Sequence, residues 1–290
     1  MPVSLRRIAL GALALLSLAA PVARAQLLAA PDKFAMLNGA TIRYRDFGSG
    51  DPVILLHGFG NQLESWVGIG DSLALGHRVI AMDLRGFGKS TRFHDAAQYA
   101  RMSEDVVTLM DSLHISRAHL VGHSMGAGTA ARLVIAHPSR FATATLIAGF
   151  YRDSAETDST FAPYVAALER GEGLTALFHW LLPALSDNVL AMVNNSFMAR
   201  NDRDAMLAVM HEGPHASISS GPAASAKNPV VVHLIVGTAD PLTMDSRRML
   251  TRWSGASLLE VPGATHGSIV ASAETLADIR ATLAAHAITP

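Results

Sequence analysis

Along the chain, short continuous apolar runs alternate with longer stretches whose apolar residues recur every three or four positions. Val53-Ile54-Leu55-Leu56, Val79-Ile80-Ala81-Met82, Ala118-His119-Leu120-Val121, Ala144-Thr145-Leu146-Ile147, Val230 to Val236 and Ser257 to Val261 read as core strands. Near-continuous hydrophobicity in such short segments implies burial on both faces. Strands that alternate with helical stretches pair in parallel through helical crossovers, so the predicted fold class is α/β with a mostly parallel, doubly wound sheet. Ala35 to Phe47 differs. Asn38-Gly39 marks a tight turn there and Thr41-Ile42-Arg43-Tyr44 alternates, the pattern of an edge hairpin that gives the sheet an antiparallel start.

Between the strand ending near Ala148 and the one beginning at Val230 lie roughly eighty residues without a strong strand, too many for an ordinary connection. They predict a helical lid over approximately 152–226, inserted before the last core strands. Phe161, Leu168, Leu177, Phe178, Trp180, Met192, Phe197, Met206 and Met210 recur there at helical spacings, with Pro163, Pro183 and Pro214 as breaks. Most of these apolar residues should pack the insertion onto the sheet, and a few should line a pocket. Ser217 to Ala226 reads as a small-residue loop.

The first residues carry a third kind of pattern. Arg6-Arg7, the apolar stretch Ile8 to Ala20 and Ala23-Arg24-Ala25 together resemble an export signal with an A-x-A-type cleavage site, giving a 1–25 signal peptide and a 26–290 mature domain. About a dozen apolar residues fall short of the ~20 that a membrane-spanning helix needs. The expected location is therefore the periplasm or the cell exterior, with no stable membrane insertion after cleavage.

Composition narrows the chemistry. The 290-residue chain is 50% hydrophobic, enough for a sizeable core, and its net charge of -1 provides no basic field for nucleic acid. It contains no cysteine, which removes disulfides, thiolate metal sites and a cysteine nucleophile.

Gly122-His123-Ser124-Met125-Gly126 fits G-x-S-x-G between an apolar strand and an Ala-rich helical stretch. A serine on such a turn is exposed, and the positive end of the following helix favours negative charge beside it. A serine hydroxyl is a weak nucleophile and needs a base, which in turn needs an orienting carboxylate. Asp240 follows the strand Val230 to Val236, and His266 follows Ser257 to Val261; loops after parallel strands gather on the edge where the serine sits. Ser124, Asp240 and His266 are the candidate catalytic residues, in the chain order this fold uses. Asp240 as a helix cap before Leu242 is the structural alternative, and Asp153, just beyond Ile147, is the rival acid. Among the other histidines, His119 and His233 fall within core strands, His123 neighbours the nucleophile and His57 belongs to His57-Gly58-Phe59-Gly60. That segment follows the first buried strand and offers the Phe59 N–H, with the Met125 N–H, as an oxyanion hole. The same His57 and Gly58 would also serve simply to close a tight turn.

These motifs, together with Trp66 and Asp83-Leu84-Arg85-Gly86-Phe87-Gly88-Lys89-Ser90, resemble the α/β-hydrolase superfamily in its lid-bearing branch, from about Phe34 to the C-terminus. The resemblance implies that Asp83 to Ser90 is a structural loop with no catalytic role. Serine at 124 sets the chain apart from epoxide hydrolase and haloalkane dehalogenase relatives, which use aspartate there. The implied activity is hydrolysis of small to medium, apolar carboxylic esters without a metal or cofactor. Carbon–carbon bond hydrolases and lactonases share this triad, and a non-catalytic ligand receptor would keep the fold.

Two further motif matches stand apart, the first of them a decoy by its context. His211-Glu212-Gly213-Pro214-His215 fits H-E-x-x-H, but Gly213 and Pro214 oppose the single helix that zinc binding requires. Asn194-Asn195-Ser196 fits a glycosylation acceptor, whose use depends on the host.

Overall fold

The computed structural model describes residues 26–93, 97–150, 154–212, 228–253 and 255–288. The export-signal stretch 1–25, the rival acid Asp153 and the loop Ser217 to Ala226 lie outside these residues. Eight strands form one sheet: β1 (Lys33–Leu37), β2 (Ala40–Gly48), β3 (Asp51–Leu56), β4 (His77–Met82), β5 (Ala118–His123), β6 (Phe141–Ile147), β7 (Val231–Gly237) and β8 (Ser257–Val261), in the order β1-β2-β4-β3-β5-β6-β7-β8.

The hairpin forms as its sequence predicts. Leu37 pairs with Ala40, leaving Asn38 (φ 48°) and Gly39 (φ 78°) as a two-residue turn with both residues left-handed. β2 then pairs antiparallel with β4, and from β4 onward every neighbour is parallel. All six parallel strands therefore end on one edge of the sheet.

The pleat splits the core into two layers. Ile54, Leu56, Ile80 and Met82 face one side, covered by α3 (Ala97–Ser112), α4 (Met125–Ala136) and the end of α9 (Thr243–Arg252). Val53, Leu55, Val79 and Ala81 face the other, covered by α2 (Val67–Leu73) and α10 (Ala273–Ala285). Each such fully buried aliphatic side chain is worth about 1.5–3 kcal/mol of transfer free energy, so the sheet is a rigid platform for its end loops. The last run departs from the expected burial on both faces: β8 ends the sheet, Ser257 is exposed and only Val261 is buried.

The insertion between β6 and β7 is helical among the described residues: α5 (Ser154–Glu169), α6 (Thr175–Leu181), α7 (Asp187–Arg200) and α8 (Arg203–Glu212). Leu168, Leu177, Phe178, Phe197, Met206 and Met210 are buried as their spacing predicts. Met192, by contrast, points outward and is 71% exposed. Pro163 does not break the chain's helical path but sits inside α5, where it forgoes one intrahelical hydrogen bond. Among the described residues no helix is long and apolar enough to cross a membrane.

Candidate active site

The turn from β5 into α4 is a single residue, Ser124, held at φ 52° and ψ −114°. A non-glycine residue in that region costs on the order of 1–3 kcal/mol, so its surroundings must impose it. Two backbone bonds do so. Ser124 N–H donates to the Ile147 carbonyl on β6 at 2.9 Å, and the Ser124 carbonyl accepts the Gly128 N–H at 3.0 Å, the first bond of α4. The flanking glycines permit the close approach: a Cβ on Gly122 would collide with the Gly126 carbonyl, and one on Gly126 with the carbonyls of Leu56 and His57.

The structure brings the three candidate side chains into one relay. His266 Nε2 lies 3.0 Å from Ser124 Oγ, and His266 Nδ1 lies 2.9 Å from Asp240 Oδ2. An Nδ1–H donated to the carboxylate leaves Nε2 as the acceptor for the serine hydroxyl. Asp240 and His266 are buried, while Ser124 keeps some exposure. The cap alternative for Asp240 turns out to be compatible with the relay, because the two carboxylate oxygens divide the work: Oδ1 accepts the Leu242 N–H at 2.9 Å at the start of α9, and Oδ2 faces His266.

The loops that carry Asp240 and His266 are laced together. Thr238 N–H donates to the Val261 carbonyl and Ala239 N–H to the Ala264 carbonyl, both at 3.0 Å, and Gly263 N–H donates to Thr238 Oγ1 at 2.8 Å. A Cβ at Gly237 would strike the Ala264 carbonyl. The carboxylate–imidazole distance is thus set by two backbones locked against each other.

His123, expected only as a neighbour, contributes more than that. Its Nε2–H donates to the His266 carbonyl at 3.0 Å, and the two rings lie 5.0 Å apart. Burial, and then the adjacent His266, push the His123 imidazole down to about 3. It stays neutral at ordinary pH and does not oppose a positive charge forming on His266.

The segment His57 to Gly60 forms a turn closed by Asn61 N–H to the Gly58 carbonyl at 3.1 Å. His57 pins it from behind: Nδ1–H donates to the Gly58 carbonyl at 2.8 Å, and Nε2 accepts the Leu84 N–H at 2.9 Å. Both nitrogens are committed in the neutral form, and burial holds the ring below the ordinary imidazole range. The turn lies against the elbow, since a Cβ on Gly58 would come within 2.9 Å of His123 Nδ1. Phe59 N–H and Met125 N–H, the latter on the first residue of α4, find no acceptor among the described residues.

The Asp83 to Ser90 loop braces this arrangement. Asp83 is fully buried, accepting the N–H groups of Leu63 (2.7 Å) and Lys89 (2.8 Å) and an Arg43 guanidinium N–H (3.1 Å). Its carboxylate is consumed by structure, some distance in the chain from the relay. The lid adds contacts that helical spacing alone does not reveal: Phe197 covers Gly60 and lies 5.9 Å from Phe59, and a Cβ on Gly267, next to His266, would come within 3.1 Å of Leu182.

The remaining expectations resolve simply. His119 and His233 lie within β5 and β7. His211 and Glu212 close α8, and the rest of the H-E-x-x-H string lies outside the described residues. Asn194 uses its amide oxygen to accept the Leu174 N–H at 2.8 Å.

Comparisons with known proteins agree with this architecture. Residues 51–176 match the family model described as alpha/beta hydrolase fold. The dihydrolipoyllysine-residue acetyltransferase component of the acetoin cleaving system of Pseudomonas putida is 37% identical over 143 residues, covering 49% of this chain and 38% of that protein. The chain spans less than half the length of that protein and of its counterpart from Cupriavidus necator. A putative non-heme chloroperoxidase from Synechocystis sp. is 29% identical over 258 residues, 79% of this chain and 90% of its own length. The solved structure of a thermophilic esterase from Thermogutta terrifontis superimposes with a TM-score of 0.74 at 21% identity, covering 89% of this chain and 100% of that one. Mixed sheet, strained serine turn, inserted helices and structural likeness converge on the α/β-hydrolase fold, whose family model residues 51–176 match.

Proposed function

We propose that this α/β hydrolase is a serine esterase that cleaves small to medium, apolar carboxylic esters through an acyl-enzyme. The observation that carries the reading is the relay from Ser124 Oγ through His266 to Asp240, at 3.0 and 2.9 Å, on a strained elbow.

Ser124 Oγ attacks the ester carbonyl carbon while His266 Nε2 takes its proton. The oxyanion formed rests on the Phe59 and Met125 N–H groups, donors that need no reorganisation as charge develops. Collapse breaks the carbon–oxygen bond to the alcohol, which leaves with the proton from His266. A water then gives a proton to His266 and attacks the acyl carbon; the second collapse returns the proton to Ser124 and releases the acid. Asp240 orients His266 and stabilises its cationic form in both steps. Protein groups and water supply every proton and electron pair, so the reading calls for no metal or cofactor. Phe59, Phe178 and Phe197 line up from the turn into the lid, which favours an apolar acyl or alcohol group. Export under the direction of residues 1–25 belongs to the same proposal and would place such an esterase among extracellular substrates.

A graded panel of nitrophenyl esters, assayed on wild type and Ser124→Ala, tests this reading. Turnover falling steeply from short to long acyl chains, and absent in the variant, is expected. Failure on every ester while a fluorophosphonate still labels the protein would redirect attention to lactones or diones.

A further inference from the structure

The oxyanion turn is held from two sides. His57 and Leu84 anchor its inner side within the sheet domain, whereas its outer side is anchored by the lid. Asn201, the residue that follows α7, donates from Nδ2 to the Gly60 carbonyl at 2.8 Å and to the Phe197 carbonyl at 2.9 Å. Because both partners are carbonyls, both amide hydrogens are used and the orientation of the side chain is fixed. Phe197, one turn earlier in α7, lies over Gly60; at φ 67° that residue must be glycine both for its conformation and because a Cβ would enter the phenyl ring. Edge contact with Phe178 at 5.0 Å holds the Phe197 ring in turn. The peptide gripped in this way is one residue from Phe59, whose N–H is the proposed donor to the oxyanion.

We infer that Asn201 is a positioning residue: by tying the Gly60 carbonyl to the end of α7, it fixes the direction of the Phe59 N–H. This deepens the esterase reading and rests on it. A donor contributes only when it lies about 2.7–3.1 Å from the place the oxyanion will occupy, so a shift of the turn that leaves substrate binding intact still weakens the transition state. The lid is then part of the catalytic geometry and not only a cover.

Asn201→Asp preserves the shape but sets a carboxylate oxygen against two carbonyl oxygens, and it is the sharpest test. With a short-chain nitrophenyl ester we expect kcat to fall about 10-fold or more while KM stays within about 3-fold, the pattern of an interaction made in the transition state. An aryl trifluoromethyl ketone supplies a readout that a merely structural role would not move. Ser124 Oγ adds to its carbonyl carbon, the hydroxyl proton passes to His266, and the resulting oxyanion occupies the same hole with no leaving group to depart. Its affinity should fall by the same factor as kcat/KM. Arg92 also ties the end of α7 to the sheet domain, donating to the Arg200 carbonyl at 3.0 Å and to the Gly86 carbonyl at 3.2 Å, without touching the oxyanion turn. Arg92→Ala should therefore leave kcat within about 2-fold.

Should Asn201→Asp lower the Tm by more than a few degrees, Asn201→Ala, which removes the donor without adding charge, is read in its place with the same expected split. An unchanged kcat in an otherwise active enzyme overturns this inference alone, as does ketone affinity that stays constant while kcat falls, or an equal loss in Arg92→Ala. A wild type inert toward every ester and toward a fluorophosphonate overturns the inference and the esterase reading together.

Discussion

Among the described residues, two Ser–His–Asp sets lie at opposite ends of the same sheet. At the carboxyl edge, Ser124 meets His266 Nε2 and Asp240 meets Nδ1. Toward the amino ends of β7 and β8, Ser257 Oγ lies 2.5 Å from His233 Nδ1, and His233 Nε2 pairs with Asp278 on α10. The residue types and their order of contact are the same, yet the settings differ. Ser124 is strained, flanked by glycines that admit close backbones, set at the N-terminus of a twelve-residue helix and adjacent to unpaired N–H groups. Ser257 heads an extended edge strand, and its partners fasten α10 to the sheet. The two sets differ in the backbone around the serine, and the unpaired N–H groups beside Ser124 support its proposed role, because a proton relay needs donors for the charge that attack creates.

The largest expected contrast comes from deleting the two hydroxyls. Ser124→Ala should cost more than about 10³-fold in kcat, and Ser257→Ala less than about 2-fold, in the same ester assay. The imidazoles should separate in the same way. His266→Ala should lose roughly 10³-fold or more, whereas His233→Gln should keep its activity and lose about 1 kcal/mol in a urea melt, the worth of its hydrogen bond to Ser257. Equal losses in either pair would dissolve the distinction.

A third contrast concerns the glycines. Gly126→Ala must displace the Leu56 or His57 carbonyl and should destabilise by about 2–4 kcal/mol, while Gly76→Ala, with open space around its Cβ, should lie within about 0.5 kcal/mol of wild type in the same melt.

A fourth contrast is one of pH. Burial, and then His77, lower His119 to about 4, and burial with His266 lowers His123 to about 3, against 6.5 when unfolded. Between pH 6.5 and 4 the unfolded chain binds more protons than the folded one, so stability falls as pH falls through that window, by up to about 1.4 kcal/mol per unit for each group. His119→Gln removes one contribution, and denaturant melts from pH 7 to 4 should show a shallower slope with catalysis unaffected.

The sequence made some of these features legible and hid others for identifiable reasons. Strands in the sheet interior stand out because burial on both faces demands continuous apolar runs. The elbow stands out because a strained turn demands glycines on both sides of Ser124. Chain order and strand ends sufficed to nominate Asp240 and His266, since parallel strands deliver their end loops to one edge. The exposed, terminal position of β8 stayed hidden, because an apolar run does not report whether another strand will pair beyond it. Hidden as well were the reach of His123 to the His266 carbonyl and that of Asn201 to Gly60, which span 143 and 141 residues. Periodicity tells which face of α7 is buried and not what it is buried against, so Phe197 was recognisable as a packing residue while its place over the oxyanion turn was not. Met192 marks the same limit in reverse, an apolar residue at helical spacing that faces outward.

The most direct test of the account is to treat the wild type with a fluorophosphonate and locate the adduct by intact mass and peptide mapping. The account predicts one adduct, on the peptide containing Ser124, lost in Ser124→Ala and retained in Ser257→Ala. Labelling at Ser257, or an adduct that persists in Ser124→Ala, would contradict it.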